Sequence, residues 1–575
     1  MPDHHILLQR LRDFINSEFA TQHANLERQW ALPLGERVMR GYAIEGLRVE
    51  EFKGNTARLS CASNDSRFRE GDLMVLHRST PIGLESVEVL LEYDDETLME
   101  VSLHNGNPHF LQHEPEGWIA DESMLDLRGF HLGALDEIAD TYRGRNIILP
   151  LLSGERIPQI DYAKHDRAIE YAKSAGLNEN QSEALANAYA SDLYHLIQGP
   201  PGTGKTYLLA HLARLLVTDG FRVLVSGFTH RAINNALNKI AKVDIALPVC
   251  KIGSEIRSKD LEVRNFENFV NSGFAEITGG YIVGATTFAL RGSRLSHVDF
   301  DVIIFDESSQ ITLSLALMGM LSGEKYIFIG DEKQLPPVTS LRGSDVGNTS
   351  IFGFLSGRGA ESMLTTTYRM NDILTSWPSQ NFYDNQLVAD PSCSNRRLKL
   401  QETDGDWDHA LDPDAPSVFL DLQHIGHTTR CVKEAETIIE LIKSLLYAGI
   451  SPEEIGVVVP YRAQGRLIRN LLRENIGDEE ITRAMIVDTV ERMQGQEREV
   501  VLVSLTTSNS AFASLLADFF FQPERLNVAI TRPRTKLIIV GSSHVLRTEP
   551  DTDEQQDWVE LMHSLLNSCT KYTIQ

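Results

Sequence analysis

The run Gly199-Pro200-Pro201-Gly202-Thr203-Gly204-Lys205-Thr206 constrains this chain more than any other stretch of its length. It follows a short apolar segment at 195–198 and opens a helical pattern at 204–217 that Gly220 closes. A strand, a glycine turn and a helix in that order make a phosphate-binding loop. The glycines let successive backbone N–H groups point inward, and the helix N-terminus favours an anion. Lys205 is placed to reach the β- and γ-phosphates of a nucleotide, and the Thr206 hydroxyl to ligate Mg²⁺. Such loops sit at the carboxyl edge of a parallel sheet, so the flanking sequence should alternate strands and helices. It does so twice. The first set has strands at 222–226, 281–285, 301–305 and 325–329, with a helix at 230–241. The second has strands at 417–421, 455–459, 485–489, 499–505 and 536–540, with helices at 434–447 and 461–475. Strands apolar on both faces, separated by amphipathic helices, predict two doubly wound α/β domains.

Ahead of these the texture differs. Ile6, Leu7, Leu11, Phe14, Ile15 and Phe19 fit one amphipathic helix over 1–29. From 36 to 125 short strand-like runs are broken by turns such as Glu70-Gly71-Asp72 and Asp94-Asp95, the pattern of a small β-barrel or sandwich. The expected layout is a helix at 1–29, a barrel at 30–125, a first α/β domain at 126–345 and a second at 346–575. Glu51-Phe52-Lys53 has the E-x-K spacing of a nuclease metal site. No aspartate lies between Asp13 and Asp65 to complete it, so it reads as a solvated loop.

Composition narrows the partners. A net charge of -26 excludes a binder held to a polyanion by bulk positive charge, but not one that grips phosphates locally. Cys61, Cys250, Cys393, Cys431 and Cys569 form no Cys-x-x-Cys pair, so no zinc module, iron–sulfur cluster or disulfide frame is expected. The N-terminus has no signal-peptide layout, and the longest apolar runs are too short for a bilayer. The expectation is a soluble protein of a reducing compartment, cytoplasmic or nuclear in a eukaryote, with no membrane partner.

Val302-Ile303-Ile304-Phe305-Asp306-Glu307 supplies the second half of an ATP site. Asp306 at the strand end is a Mg²⁺-shell carboxylate, and Glu307 a base for the attacking water. Further motifs then follow in a recognisable order. Asp306-Glu307-Ser308-Ser309-Gln310, Gly330-Asp331-Glu332-Lys333-Gln334-Leu335-Pro336-Pro337-Val338 and Thr367-Tyr368-Arg369-Met370 resemble motifs II, III and IV of superfamily 1 helicases. Gln494-Gly495-Gln496-Glu497 and Arg525-Leu526-Asn527-Val528-Ala529-Ile530-Thr531-Arg532 resemble motifs V and VI. The resemblance spans 178–542 and is nearest to superfamily 1B, the branch of the nonsense-mediated-decay helicase and the senataxin-type enzymes.

The resemblance implies two RecA-like P-loop NTPase domains with parallel sheets, plus a β-barrel accessory domain beside a single-strand channel. It implies ATP and Mg²⁺ as cofactors, and 5′→3′ movement on single-stranded DNA or RNA. Gln181 matches the residue that reads adenine, Tyr368 the aromatic that packs on it, and Glu497 the ribose ligand. Gln334 matches the γ-phosphate sensor, and Arg369 and Arg532 the two arginine fingers of the second domain. Fingers there reach phosphate only when the domains close, which ties hydrolysis to motion. Pro533 departs from the family's small residue and pushes Arg532 out of α geometry. Candidate strand contacts are Thr229, His230, Thr286, Thr287, Pro460, Arg462 and Thr489. An ATP-gated clamp, or a motor serving a separate nuclease or defence partner, is the alternative reading.

Overall fold

Leu7, Leu8, Leu11, Phe14 and Ile15 recur on one face of the helix His4–Trp30, and all five are buried. The barrel that follows alternates inward and outward residues: Val87, Val89 and Leu91 are buried while their neighbours in the strand are half-exposed. Its strands are β1 (Ala43–Lys53), β2 (Thr56–Ser60), β3 (Leu73–His77), β4 (Val87–Asp94), β5 (Leu98–Asn105) and β6 (Trp118–Glu122). They close antiparallel in the order β1-β2-β5-β4-β3-β6 around Leu47, Leu59, Met74, Met99 and Trp118. This computed structural model describes residues 4–574 apart from 63, 65, 69, 70, 95, 96, 259, 342, 344, 345 and 404. Glu70 and Asp95 of the expected turns, and Asp65, therefore lie outside the described residues. Glu51 and Lys53 form an exposed ion pair with each other, but they lie at the turn-ward end of β1, paired with β2, rather than in the expected loop.

The chain forms two compact units, 2–139 with 338–348, and 140–337 with 349–575. The segment 338–348 joins the barrel unit through the N-terminal helix. Glu18 accepts the backbone N–H groups of Ser340 and Leu341, each at 2.7 Å. Gly347 lies so close to the Phe14 ring that a Cβ there would stand 2.0 Å from it.

The second unit holds two parallel sheets. The first comprises β7 (Tyr194–Gln198), β8 (Arg222–Gly227), β9 (Val249–Ile252), β10 (Arg264–Phe266), β11 (Tyr281–Gly284), β12 (Val302–Asp306), β13 (Lys325–Gly330) and β14 (Glu361–Met363). Its order is β10-β9-β11-β8-β12-β13-β7-β14. After the short pair β15 (Thr366–Thr367) and β16 (Val388–Ala389), the second comprises β17 (Ser417–Asp421), β18 (Ile455–Val459), β19 (Ile486–Thr489), β20 (Arg498–Ser504), β21 (Pro533–Gly541) and β22 (Thr570–Thr573). Its order, β19-β18-β20-β21-β17-β22, repeats β11-β8-β12-β13-β7-β14 strand for strand. The first sheet thus draws β14 from beyond position 345, and the expected division at 345/346 falls before that sheet is complete. Among the described residues no helix is long and apolar enough to cross a membrane.

Candidate ATP site

The glycine turn sits between β7 and the helix Lys205–Thr218, with Gly202 and Gly204 at φ +76° and +80°. Both conformations lie in the left-handed region, where a side chain is strained. Space forbids one as well: a Cβ on Gly202 would stand 2.4 Å from Thr367 Oγ1 and 2.5 Å from Arg369 Cβ. The loop is braced from within. Gly199 N donates to Gly330 O at 2.9 Å, Thr203 Oγ1 donates to Pro200 O at 2.8 Å, and Lys205 Nζ donates to Gly199 O.

Gln181 braces it from the side. Asn178 caps the helix Glu179–Ala190, and the Gln181 side chain closes a reciprocal capping box. Gln181 Nε2 also donates to Thr203 O at 2.9 Å. The segment Thr367-Tyr368-Arg369 lies directly on the loop. Thr367 Oγ1 donates to Pro201 O and Tyr368 N to Gly202 O, each at 2.9 Å, while Asn178 Nδ2 donates to Tyr368 Oη at 2.7 Å.

From this perch Arg369 reaches motifs V and VI. Its Nε is 2.8 Å from Glu497 Oε2, and its Nη1 donates to Thr531 O at 3.0 Å. Arg532 is 1% exposed. Its Nε donates to Val528 O at 2.8 Å and its Nη1 to Gln496 O at 3.3 Å. Burial, and then the nearby Arg369, pull this guanidinium down to about 9. The helix Pro523–Ile530 ends three residues before Pro533, which opens β21, and Arg532 between them stays in the interior.

Of the acidic pair, Asp306 is buried and Glu307, half-buried, is strained. Glu307 adopts φ +52° beyond the end of β12, a left-handed conformation costing roughly 1 kcal/mol for an L side chain. Its Oε2 accepts from Gln494 Nε2 at 3.3 Å, a contact from motif II to motif V. Burial, and then Glu307, push the Asp306 carboxyl well above the usual carboxylate range, with Lys205 opposing them. Asp306 feels the charge of Lys205, whose chain neighbour Thr206 carries a half-buried hydroxyl; carboxylate and hydroxyl are the hard oxygen donors that Mg²⁺ takes, so the residues present fit that ion.

Sequence reasoning overlooked a buried network beneath these groups. Asp331, with no exposed surface, accepts from Gln198 Nε2 and Gln334 Nε2, each at 2.6 Å, and from Tyr383 Oη at 2.8 Å. Asn527 Nδ2 in turn donates to Tyr383 Oη at 2.8 Å and to Lys333 O at 2.6 Å. With Lys333 N at 3.1 Å, four donors compensate the carboxylate. Burial, and then Asp331, raise the Tyr383 phenol well above its ordinary value, so it stays a donor. Asp331 and Asn527 stand in motifs III and VI, but no sequence signal marks Tyr383.

The proposed strand contacts divide by burial. Phe228 is exposed and Thr229 caps the helix His230–Val243, its hydroxyl accepting from Ala232 N at 3.1 Å. Burial, and then Lys251, hold the His230 imidazole down to about 4, so it is neutral near pH 7 and offers no cation to phosphate. Thr286, Pro460 and Arg462 are half-buried. Thr287 and Thr489 are buried, at 3% and 6% exposure, and Thr287 Cγ2 packs at Gly319. Their side chains therefore offer no exposed hydroxyl to a strand.

Residues 176–372 match a family model described as an AAA domain, and residues 348–544 match another so described. Both matches fall on the parallel-sheet region that carries the phosphate loop, in keeping with a nucleotide-binding role for that loop. By sequence the chain is similar to "DNA replication ATP-dependent helicase/nuclease DNA2". It is 33% identical to that of Mus musculus over 65% of this chain and 38% of the relative. The Homo sapiens protein is 31% identical over 66% and 38%, and the Saccharomyces cerevisiae protein 29% over 73% and 30%. The chain thus spans well under half the length of these relatives. Among solved structures, "Crystal structure of Arterivirus nonstructural protein 10 (helicase)" superposes with a TM-score of 0.39 at 13% identity, covering 92% of this chain and 82% of the other.

Proposed function

We propose that the chain is an ATP-driven helicase or translocase moving 5′→3′ along single-stranded DNA, within the superfamily 1B branch of the nonsense-mediated-decay helicase and senataxin-type enzymes. The observation that carries the reading is the seat of Thr367-Tyr368-Arg369. One short segment clasps the phosphate loop with the Thr367 hydroxyl and the Tyr368 N–H and delivers its guanidinium to motifs V and VI. A shift of the second sheet therefore moves a cation beside the phosphates. The names of the relatives favour DNA as the track.

The residues divide the work. Lys205 exchanges the Gly199 carbonyl for the β- and γ-phosphates, held by backbone N–H groups of Gly202, Thr203, Gly204, Lys205 and Thr206, while Gly199, Pro200 and Pro201 shape the loop around them. Gln181 and Tyr368 flank the base, and Glu497 takes the ribose as Arg369 leaves it for phosphate. Glu307, turned out of line by its backbone, accepts the proton of the attacking water. Bound by Asp306 and Thr206, Mg²⁺ supplies charge neutralisation at the phosphate oxygens. Gln334 shares Asp331 with Tyr383, so its position is reported through Tyr383 to Asn527 and the motif VI helix. Thr229, Thr286, Pro460 and Arg462 remain on the candidate strand-binding face, with the barrel as accessory domain.

ATP hydrolysis measured against matched single-stranded DNA and RNA, alongside displacement of a 5′-tailed forked duplex, tests this. DNA stimulation with displacement is expected. RNA preference would overturn the substrate. Strand-stimulated hydrolysis without translocation or displacement would replace the motor with a clamp.

A further inference from the structure

Outside the ATP site, the loop between β17 and the helix Val432–Tyr447 gathers two histidines and a cysteine. One ring nitrogen of His424, one of His427 and the Cys431 sulfur all lie within 4.8 Å of one another. The two rings meet edge to face with centroids 5.0 Å apart. His424 and Cys431 are buried and His427 is half-buried.

The framework around them is rigid. His424 Nε2 stands 2.7 Å from Glu434 Oε1, and its Nδ1 2.8 Å from Ser508 Oγ. Glu434 has no exposed surface, and its other oxygen accepts from Ser504 Oγ at 2.6 Å and Thr506 N at 2.8 Å. The His427 carbonyl accepts from Ser508 N at 2.9 Å and Asn509 N at 3.0 Å. Gln464 clamps the Cys431 backbone from both sides, at 2.8 and 3.0 Å.

We propose that His424, His427 and Cys431 form a site for a borderline-soft divalent cation, Zn²⁺ by chemistry, with Glu434 as the carboxylate that orients His424. Imidazole and thiolate donors together select such an ion over Mg²⁺ or Ca²⁺. A metal-bound histidine ordinarily gives its other ring N–H to a carboxylate, and Glu434 stands where that partner belongs. With the proton on Nε2, the His424 lone pair sits on Nδ1, 2.8 Å from Ser508 Oγ. Tetrahedral bonds of about 2.0–2.3 Å need the three ligand atoms closer together by about an ångström. His427 can provide that approach, since it is half-buried and follows Gly426 at φ +85°. Three protein ligands and one half-open side leave a fourth position to water.

Hydrogen bonding of a core histidine accounts for His424 and Glu434 by themselves. It does not require an imidazole and a thiol to converge on the same point. The site also has a mechanical address: Thr507 Oγ1 meets Thr428 O at 2.8 Å and Tyr461 Oη at 3.1 Å, so a cation here would stiffen the loop beside Pro460-Tyr461-Arg462. The site is independent of the proposed motor function.

The test uses the full chain without a histidine tag, stripped by chelator and then titrated with Zn²⁺ against a chromophoric chelator, and separately with Co²⁺. The expected result is one Zn²⁺ per chain and a Co²⁺ complex with tetrahedral visible bands and a thiolate charge-transfer band. Cys431→Ser should remove the charge-transfer band, and His427→Asn should abolish stoichiometric uptake. Glu434→Gln should weaken binding about 10–100-fold. No uptake by the wild type overturns the site. Uptake that survives in both Cys431→Ser and His427→Asn places the ion elsewhere and overturns it equally. His427→Asn alters a half-buried loop side chain, so it remains informative if the buried serine variant fails to fold.

Discussion

The loop after β7 and the loop after β17 occupy the same station in the six-strand order that the two sheets share, yet they favour ions of opposite sign. After β7, glycines at positive φ expose backbone amides, and the groups arriving from outside are Lys205 and Arg369. Everything there favours an anion. After β17, side chains replace amides: two imidazoles and a thiol are backed by the buried Glu434 carboxylate. That environment favours a cation. A doubly wound sheet thus fixes where a ligand can sit, at the carboxyl ends of its strands, while the loop residues decide its charge.

The largest expected effect concerns the first loop alone. Lys205→Ala should abolish ATP turnover while leaving Zn²⁺ uptake intact, and hydrolysis retained in a turnover assay would break the anion half of the contrast. Next, Arg369→Ala should leave nucleotide binding near normal and cut hydrolysis by about 10³ or more, because a finger acts mainly on the transition state. Equal losses in binding and hydrolysis would reduce Arg369 to a structural brace between Glu497 and Thr531. Gly202→Ala should lower both hydrolysis and stability, the latter by about 1–3 kcal/mol, since its Cβ meets Thr367 and Arg369 in a strained backbone. An unfolding midpoint in urea equal to wild type would show that the clasp is looser than it stands here. Tyr383→Phe takes one donor from the buried Asp331 and should destabilise by about 1–3 kcal/mol. It should also blunt strand stimulation more than basal hydrolysis, and equal effects on the two rates would deny it a coupling role. Smallest of all, Cys431→Ser should change ATP hydrolysis less than twofold, sharpening the separation of the two loops.

Much of this was legible in advance, and the reason is locality. The phosphate loop, the strands from 195 to 540 and the acidic pair at 306 and 307 are written in residues adjacent along the chain. The strands overlooked, β9, β10, β14, β15, β16 and β22, are two to four residues long, and several lie at sheet edges where polar residues break the apolar pattern. The burial of Thr287 and Thr489 was not legible, because a position at a strand's end does not tell whether its side chain turns toward solvent or core. The search for paired cysteines likewise passed over His424, His427 and Cys431, since only one member of that cluster is a cysteine.

The amino-acid sequence by itself determined the two α/β halves, the barrel ahead of them and the identity of the phosphate loop, because periodicity and turn chemistry act over a few residues. Tertiary structure alone decided that Thr367 and Tyr368 sit on that loop, that Asp331 meets Tyr383 and Asn527, and that Glu434 backs His424. Those contacts join residues whose approach depends on how whole elements pack, and no short-range preference of the chain encodes that distance.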